Sequence, residues 1–230
     1  MLGRNPARQQ TLDQGEQLWI QEVFYTLQGE GPFSGHPAVF IRLAGCNLRC
    51  FWCDTDFESS EWHPNLDELL AQIEKVRPTH CKLIVLTGGE PFRQNIVPLI
   101  NALLTRKFHV QLETNGTLWL DLPNSPHISI VCSPKTGSLN SQIVPRITAY
   151  KYVLAADSSA LDDGLPQRST QEREKELRLA RPPLGSQVYV MPLDEGDERK
   201  NAENRRHCVA IAKAFGYKLT LQTHKILGID

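Results

Sequence analysis

The sequence predicts an α/β fold, a single domain built as an incomplete, splayed (βα) partial barrel with few, abbreviated helices. Three observations lead there. Short apolar runs alternate along the chain with segments of helical periodicity, as parallel βα units require. The later connections lose that regularity, so a closed eight-fold barrel is not reached. Residues suited to chemistry, namely Cys46, the Gly88-Gly89 pair, Asn115 and Ser133, each lie just after such a run. That is where parallel barrels collect their sites, at the carboxyl ends of strands.

The elements follow in order. Residues 1–17 are polar and read as an amino-terminal extension, leaving 18–230 as the one domain. Val39-Phe40-Ile41-Arg42-Leu43 reads as a buried strand running into a cysteine loop. A helix opens at Asn65, with Glu68 three residues on as a capping box, and continues through Leu66, Leu69, Leu70, Ile73 and Val76. Residues 83–86 form the next strand and end at Thr87-Gly88-Gly89-Glu90-Pro91. Residues 94–106 read as a helix, with Pro98 in its first turn, where proline is tolerated. Strands then recur at 109–113, 128–131, 150–155, 187–191 and 218–222. Between them 157–184 is polar and charge-rich, with at best a short helix over 172–180. The segment 197–215 is a better helix, opened by an acidic turn and ended by Gly216.

Composition narrows the function classes. The 230 residues carry 25 Lys+Arg against 26 Asp+Glu, a net charge of −1, with no long basic run. That leaves no electrostatic footprint for nucleic acid or an anionic membrane. No apolar stretch approaches the roughly 20 residues that span a bilayer, and the start lacks the apolar core of a secretory signal.

Cys46, Cys50 and Cys53 form a C-x3-C-x2-C triplet. Three thiolates at this spacing suit three corners of a cubane iron–sulfur cluster, which takes four cysteines when fully ligated. One iron is therefore left open to bind a small molecule. A disulfide framework suits small secreted chains rather than one of this length. A structural zinc site usually takes four Cys or His ligands in paired spacings, for which only His36 and His63 lie nearby. Cys81, Cys132 and Cys208 stand singly in apolar or helical surroundings and read as core. Reduced thiols and an oxygen-sensitive cluster point to the cytoplasm. The Gly88-Gly89 pair is by itself an ordinary tight turn.

The triplet, with Trp52 before its last cysteine and Thr87-Gly88-Gly89-Glu90-Pro91 downstream, resembles the radical S-adenosylmethionine (SAM) superfamily. Phe24-Tyr25-Thr26-Leu27-Gln28-Gly29-Glu30-Gly31-Pro32, the run from Phe40 to Cys46, Cys53-Asp54-Thr55 and the tail from Gln222 to Asp230 resemble one family within it, the 7-carboxy-7-deazaguanine synthases. The resemblance implies a [4Fe-4S] cluster on Cys46, Cys50 and Cys53, with SAM chelating the open iron. Gly89 would meet SAM, Phe51 and Trp52 would line its adenine, and Ser133, Pro134 and Lys135 its outer edge. Leu27, Gln28, Gly29, Glu30, Arg42, Thr87, His224 and the terminal carboxylate of Asp230 would contact 6-carboxy-5,6,7,8-tetrahydropterin. Of these, Arg42 offers a planar fork matched to the substrate carboxylate; a plain surface salt bridge is its ordinary alternative. Thr55 would bind Mg2+ beside that carboxylate, with Asp54 and Asp56 undecided.

The implied chemistry is reductive cleavage of SAM, giving methionine and a 5′-deoxyadenosyl radical, followed by ring contraction with loss of ammonia in the pathway to queuosine and other 7-deazapurines. Flavodoxin or ferredoxin would supply the electron, and the enzyme would be a homodimer. Two other readings share features with this one. A glycyl-radical-enzyme activase uses the same cysteine spacing, and a non-catalytic electron-transfer or zinc module would need only the triplet.

Overall fold

The computed structural model describes residues 5–53, 55–171 and 177–229. Its centre is one eight-stranded sheet in sequential order. The strands are β1 (Ile20–Leu27), β2 (Pro37–Leu43), β3 (Leu83–Gly88), β4 (His109–Thr114), β5 (Ile128–Cys132), β6 (Ala149–Leu154), β7 (Val188–Pro192) and β8 (Lys218–Leu219). Pairing from β2 to β8 is parallel, whereas β1 runs antiparallel to β2. The strand β1 departs from the all-parallel expectation, because the block recognised only as a motif is itself a strand. Nine residues join it to β2, too few for a parallel crossover, which needs about a dozen.

Among the described residues the helices are α1 (Leu66–Val76), α2 (Val97–Thr105), α3 (Glu198–Phe215) and α4 (Thr223–Leu227). The expected capping box is present, with Asn65 accepting from the Glu68 amide and the Glu68 side chain accepting from the Asn65 amide. Asp197 caps α3, and Gly216 ends it in the left-handed region at φ 71°. Helix α2 starts later than the sequence suggested, because Pro91–Arg93 forms a 3-10 turn first. The expected strand at 218–222 is only two residues long, and the chain then turns into α4. Most of the short helix suspected at 172–180 lies outside the described residues. No helix among the described residues is long and apolar enough to cross a membrane.

Period-two alternation sorts the strands into two faces. Val39, Ile41, Leu43, Ile84, Leu86, Val110, Leu112 and Ile130 point outward into a core shared with α1 and α2. Tyr150, Tyr152, Leu154, Val188 and Val190 do the same toward Cys208 on α3. The opposite face carries Arg42, Thr87, Glu113, Lys151, Val153 and Met191, all lining one cavity. At its lower end Ala38, Leu83 and Val85 pack with Phe33 and Phe40 as an apolar plug.

Two segments brace the open barrel. The loop after β1 reaches across to the far edge, where the Gly31 amide donates to Thr220 Oγ1 at 2.9 Å. The amino-terminal segment is tied to the cysteine loop, with Arg8 N donating to Cys46 O at 2.7 Å and Asn5 Nδ2 to Thr55 O at 2.9 Å.

Candidate active site

The concave face and the loops above it enclose a cavity of about 550 Å3, within the ~300–1,000 Å3 usual for small-molecule sites. Cys46, Cys50, Cys53, Trp52 and Thr55 line it, with Gln28, Glu30, Arg42, Thr87, Gly88, Gly89, Glu113, Asn115, Ser133, Lys135, Lys151 and His224.

The cysteine loop is positioned by backbone contact. The Glu90 amide donates to Gly45 O at 3.0 Å, and the Gly89 amide to Leu43 O at 3.2 Å. A Cβ on Gly89 would sit 2.1 Å from Gly45 O, and one on Gly88 2.1 Å from Leu43 O. The glycine pair is therefore required by the loop it presses against, before any ligand is considered. Glu90 is fully buried and ties β3 to β4. It accepts from Thr114 Oγ1 and Asn115 N, both at 2.7 Å, and burial pushes its carboxyl up to about 7. Asn47 links the loop sideways, accepting from Asn115 Nδ2 at 2.9 Å.

The donor set fits an iron–sulfur cluster. All three thiols share one wall of the cavity, and burial, then the nearby Glu90 carboxylate, pushes the Cys46 thiol up to about 12. Such a thiol ionises only beside a strong cationic partner, as iron is. Among the described residues no three His, Cys, Asp or Glu side chains converge on a single point as ligands of one ion. A multinuclear cluster asks for a shared wall instead, since its cysteines bind separate irons. His36 and His63 lie away from the cavity: His36 Nδ1 meets Phe33 O, and His63 stacks on Trp19 at 4.1 Å.

Above the cysteines Lys135 Nζ lies 5.3 Å from the Trp52 ring centre and donates to Ser133 Oγ. Burial pulls the Lys135 ammonium down, so an anionic group brought beside it would be strongly held. Phe51 does not line the cavity and is 57% exposed. Pro134 is also absent from the lining.

The other half of the cavity is a charged network. Gln28 Nε2 donates to Glu113 Oε1 at 3.0 Å, and Thr87 Oγ1 to Glu113 Oε2 at 3.1 Å. Gln28 Oε1 accepts from the Glu30 amide at 3.0 Å. Glu30 forms an ion pair with Lys151, both nearly buried. Arg42 lines the cavity but also pairs with Glu22 at 2.5 Å across the β1–β2 ladder. Asp56 lines it too, with its carboxylate accepting from the amides of Glu58 and Ser59. Asp54 and Asp230 lie outside the described residues.

Glu113 and Lys151 are the site residues that sequence reasoning missed. Each is the one Asp, Glu, Lys or Arg of its strand, and long charged side chains are almost never buried unpaired. That signal was available.

Leu27 and Gly29 do not line the cavity. Gly29 instead seats the carboxy-terminal helix: Thr223 Oγ1 donates to Gly29 O at 2.9 Å, and a Cβ on Gly29 would sit 2.7 Å from His224 Nδ1. Gly29→Ala is therefore expected to lift α4 and remove His224 from the cavity. Amide hydrogen exchange should quicken at least about tenfold over 223–229 and stay unchanged in β2 to β4. Wild-type protection over 223–229 would show that this contact does not hold the helix.

Comparison with known proteins agrees with this geometry. The sequence model of the radical SAM superfamily matches residues 40–135. A 7-carboxy-7-deazaguanine synthase of Rhodospirillum rubrum is 59% identical over the whole of both chains. One of Rickettsia prowazekii is 37% identical, covering all of this chain and 96% of its own. Among solved structures, that of QueE from Escherichia coli superposes with a TM-score of 0.63 at 25% identity, covering 89% of this chain and 93% of the other.

Proposed function

The chain belongs to the 7-carboxy-7-deazaguanine synthase family of the radical SAM superfamily, and from that premise we propose which of its residues perform the reaction. The enzyme is a carbon–nitrogen lyase of the queuosine pathway that uses a [4Fe-4S] cluster and SAM. Its substrate is 6-carboxy-5,6,7,8-tetrahydropterin, which contracts with loss of ammonia to 7-carboxy-7-deazaguanine. One observation carries the assignment: the three cysteines share a single cavity with Glu30, Arg42, Glu113, Lys151 and His224. Thiolates that hold a cluster are thereby set beside polar groups that orient an amino-pterin.

Cys46, Cys50 and Cys53 would hold the cluster, which with SAM would supply hydrogen-atom abstraction by a one-electron route. Gly89 presents its backbone to the cofactor's amino group. Ser133 and Lys135 hold its polar outer edge, and Trp52 flanks the adenine side. Glu30 accepts from the donor edge of the substrate ring, held ionised by Lys151. Glu113 aligns Gln28 and Thr87 toward the same ring, and His224 covers it from the tail. Arg42 receives the substrate carboxylate, exchanging all or part of its bond to Glu22. Thr55 would hold Mg2+, which would neutralise the substrate carboxylate; magnesium accepts so small a protein contribution because it retains waters. Residues 18–230 act as one catalytic domain, as a homodimer in the cytoplasm, with flavodoxin or ferredoxin as reductant.

Anaerobic reconstitution with iron and sulfide, then incubation with SAM, reductant, magnesium and the carboxypterin, tests the reading. Ring-contracted product is expected. A cluster-bearing protein that cleaves SAM yet never yields that product would overturn it. Within the same assay Arg42→Ala should weaken carboxypterin binding by roughly 1.5–3 kcal/mol, the usual loss for a charged hydrogen bond, while slow uncoupled SAM cleavage continues. Unchanged affinity would remove Arg42 from the site. The similarity over the full chain to named synthases leaves the glycyl-radical-activase alternative without support.

A further inference from the structure

Part of the connection between β6 and β7 returns to the cysteine loop. Thr170 Oγ1 lies 3.0 Å from Cys50 Sγ, and Gln171 Nε2 lies 3.3 Å from the same sulfur. We propose that Thr170 and Gln171 are positioning residues that clasp the Cys50 sulfur and set the reduction potential of the cluster it holds. The proposal rests on Cys50 being a cluster ligand.

The clasp is held in place by the protein's own contacts. Thr170 is 7% exposed, and its amide donates to Lys135 O at 3.0 Å. The Gln171 amide donates to Ser169 Oγ at 3.1 Å, and Ser169 Oγ donates to Lys135 O at 3.0 Å. Gln171 also grips the loop itself, since Arg49 N donates to its Oε1 at 3.0 Å. Its Nε2 carries two protons and has two acceptors in reach, Cys50 Sγ and Thr170 Oγ1. The Thr170 hydroxyl is within reach of both Cys50 Sγ and Lys135 O, the latter at 3.1 Å. The Lys135 carbonyl already accepts two other protons, and an iron-bound thiolate is the more negative acceptor. The hydroxyl proton therefore goes to sulfur.

Hydrogen bonds to ligand sulfur stabilise the reduced, more negative cluster and raise its potential. Lys135 is the element shared by both halves of the arrangement, lining the cofactor cavity with its side chain while its carbonyl anchors the clasp. The cluster's readiness to accept an electron is thus tied to the wall that receives the cofactor.

The test is an EPR-monitored redox titration of the reconstituted holoenzyme. Thr170→Val keeps the shape and removes the hydroxyl; Gln171→Leu removes the amide donor. Each is expected to make cluster reduction about tenfold less favourable, a drop of about 59 mV for one electron, with iron content unchanged. Thr170→Ser should restore the wild-type potential. Wild-type potentials in both Thr170→Val and Gln171→Leu would overturn the proposal, as would a Thr170→Ser variant that behaves like Thr170→Val. Iron content in Cys50→Ala separates the two levels: a full cluster there would mean that Cys50 is not a ligand, whatever the clasp variants do.

Discussion

Cys46→Ala, Cys50→Ala and Cys53→Ala should each abolish the visible absorbance of the reconstituted cluster and all SAM cleavage, whereas Cys81→Ala, Cys132→Ala and Cys208→Ala should retain both. The six thiols divide by environment. The first three line the cavity. Cys81 is 2% exposed and its thiol donates to Pro37 O and Leu83 O, at 3.5 and 3.6 Å. Cys132 and Cys208 are fully buried, and burial pushes both thiols up, that of Cys208 to about 12. Thiols so placed behave as small core hydrophobes. Their truncation should cost about 1 kcal/mol of stability each, the scale of losing one buried group of methyl size. Absorbance, iron content and methionine release read the two classes. A Cys208→Ala protein without a cluster, or a Cys53→Ala protein with one, would break the assignment.

Lys151→Met should be nearly as severe, for a different reason. Glu30 is nearly buried, and burial alone would drive its carboxyl upward. The charge and hydrogen bond of Lys151 overcome that and hold it below the ordinary range. A carboxyl lowered on folding contributes stability above its unfolded value, about 4.3, and that contribution is lost as pH falls through the folded value. Removing Lys151 leaves burial, the largest cause, opposed only by the smaller effects of His224 and Gln222. Glu30 then rises, binds a proton in the folded state, and the variant loses stability as pH increases above about 4. Breaking a buried pair from one side costs about 3–5 kcal/mol, while replacing both partners is often near neutral. Urea unfolding at neutral pH should therefore show a loss of that size in Lys151→Met and substantial recovery in the double variant with Glu30→Gln. Substrate affinity should stay lost in both, because the ionised acceptor is gone. Stability of Lys151→Met within about 1 kcal/mol of wild type would mean that Glu30 is not held by this pair.

Pattern and chemistry carried much of the reading. The strands β2 to β7 were legible because each is an apolar run bounded by turn residues, and α1 and α3 because their caps are local. The cysteine triplet was legible because ligand spacing is a property of a few consecutive residues. That Phe51 stays out of the cavity lining was not legible, because a loop residue's direction depends on how the loop is tied down, here by the contacts of Gly45 with Gly89 and Glu90. The direction of β1 escaped because strand orientation depends on the partner strand. Residues 157–184 read only as polar and charge-rich because what matters there is which residues return to Cys50, a contact between positions 120 apart.

By itself the sequence determined the strands β2 to β7, the helices α1 and α3, and the spacing of three thiols suited to an iron–sulfur cluster. These follow from periodicity, capping and donor chemistry, all settled within a few neighbouring positions. Only the tertiary structure decided that Lys151 neutralises Glu30, that Glu113 orders Gln28 and Thr87, that Gly29 seats His224, and that Arg42 shares its guanidinium with Glu22. Each of these joins residues far apart in the chain, and burying charge is tolerable only when a partner is delivered, here from a different strand or loop. Local pattern cannot name that partner, because sheet order and loop closure choose it.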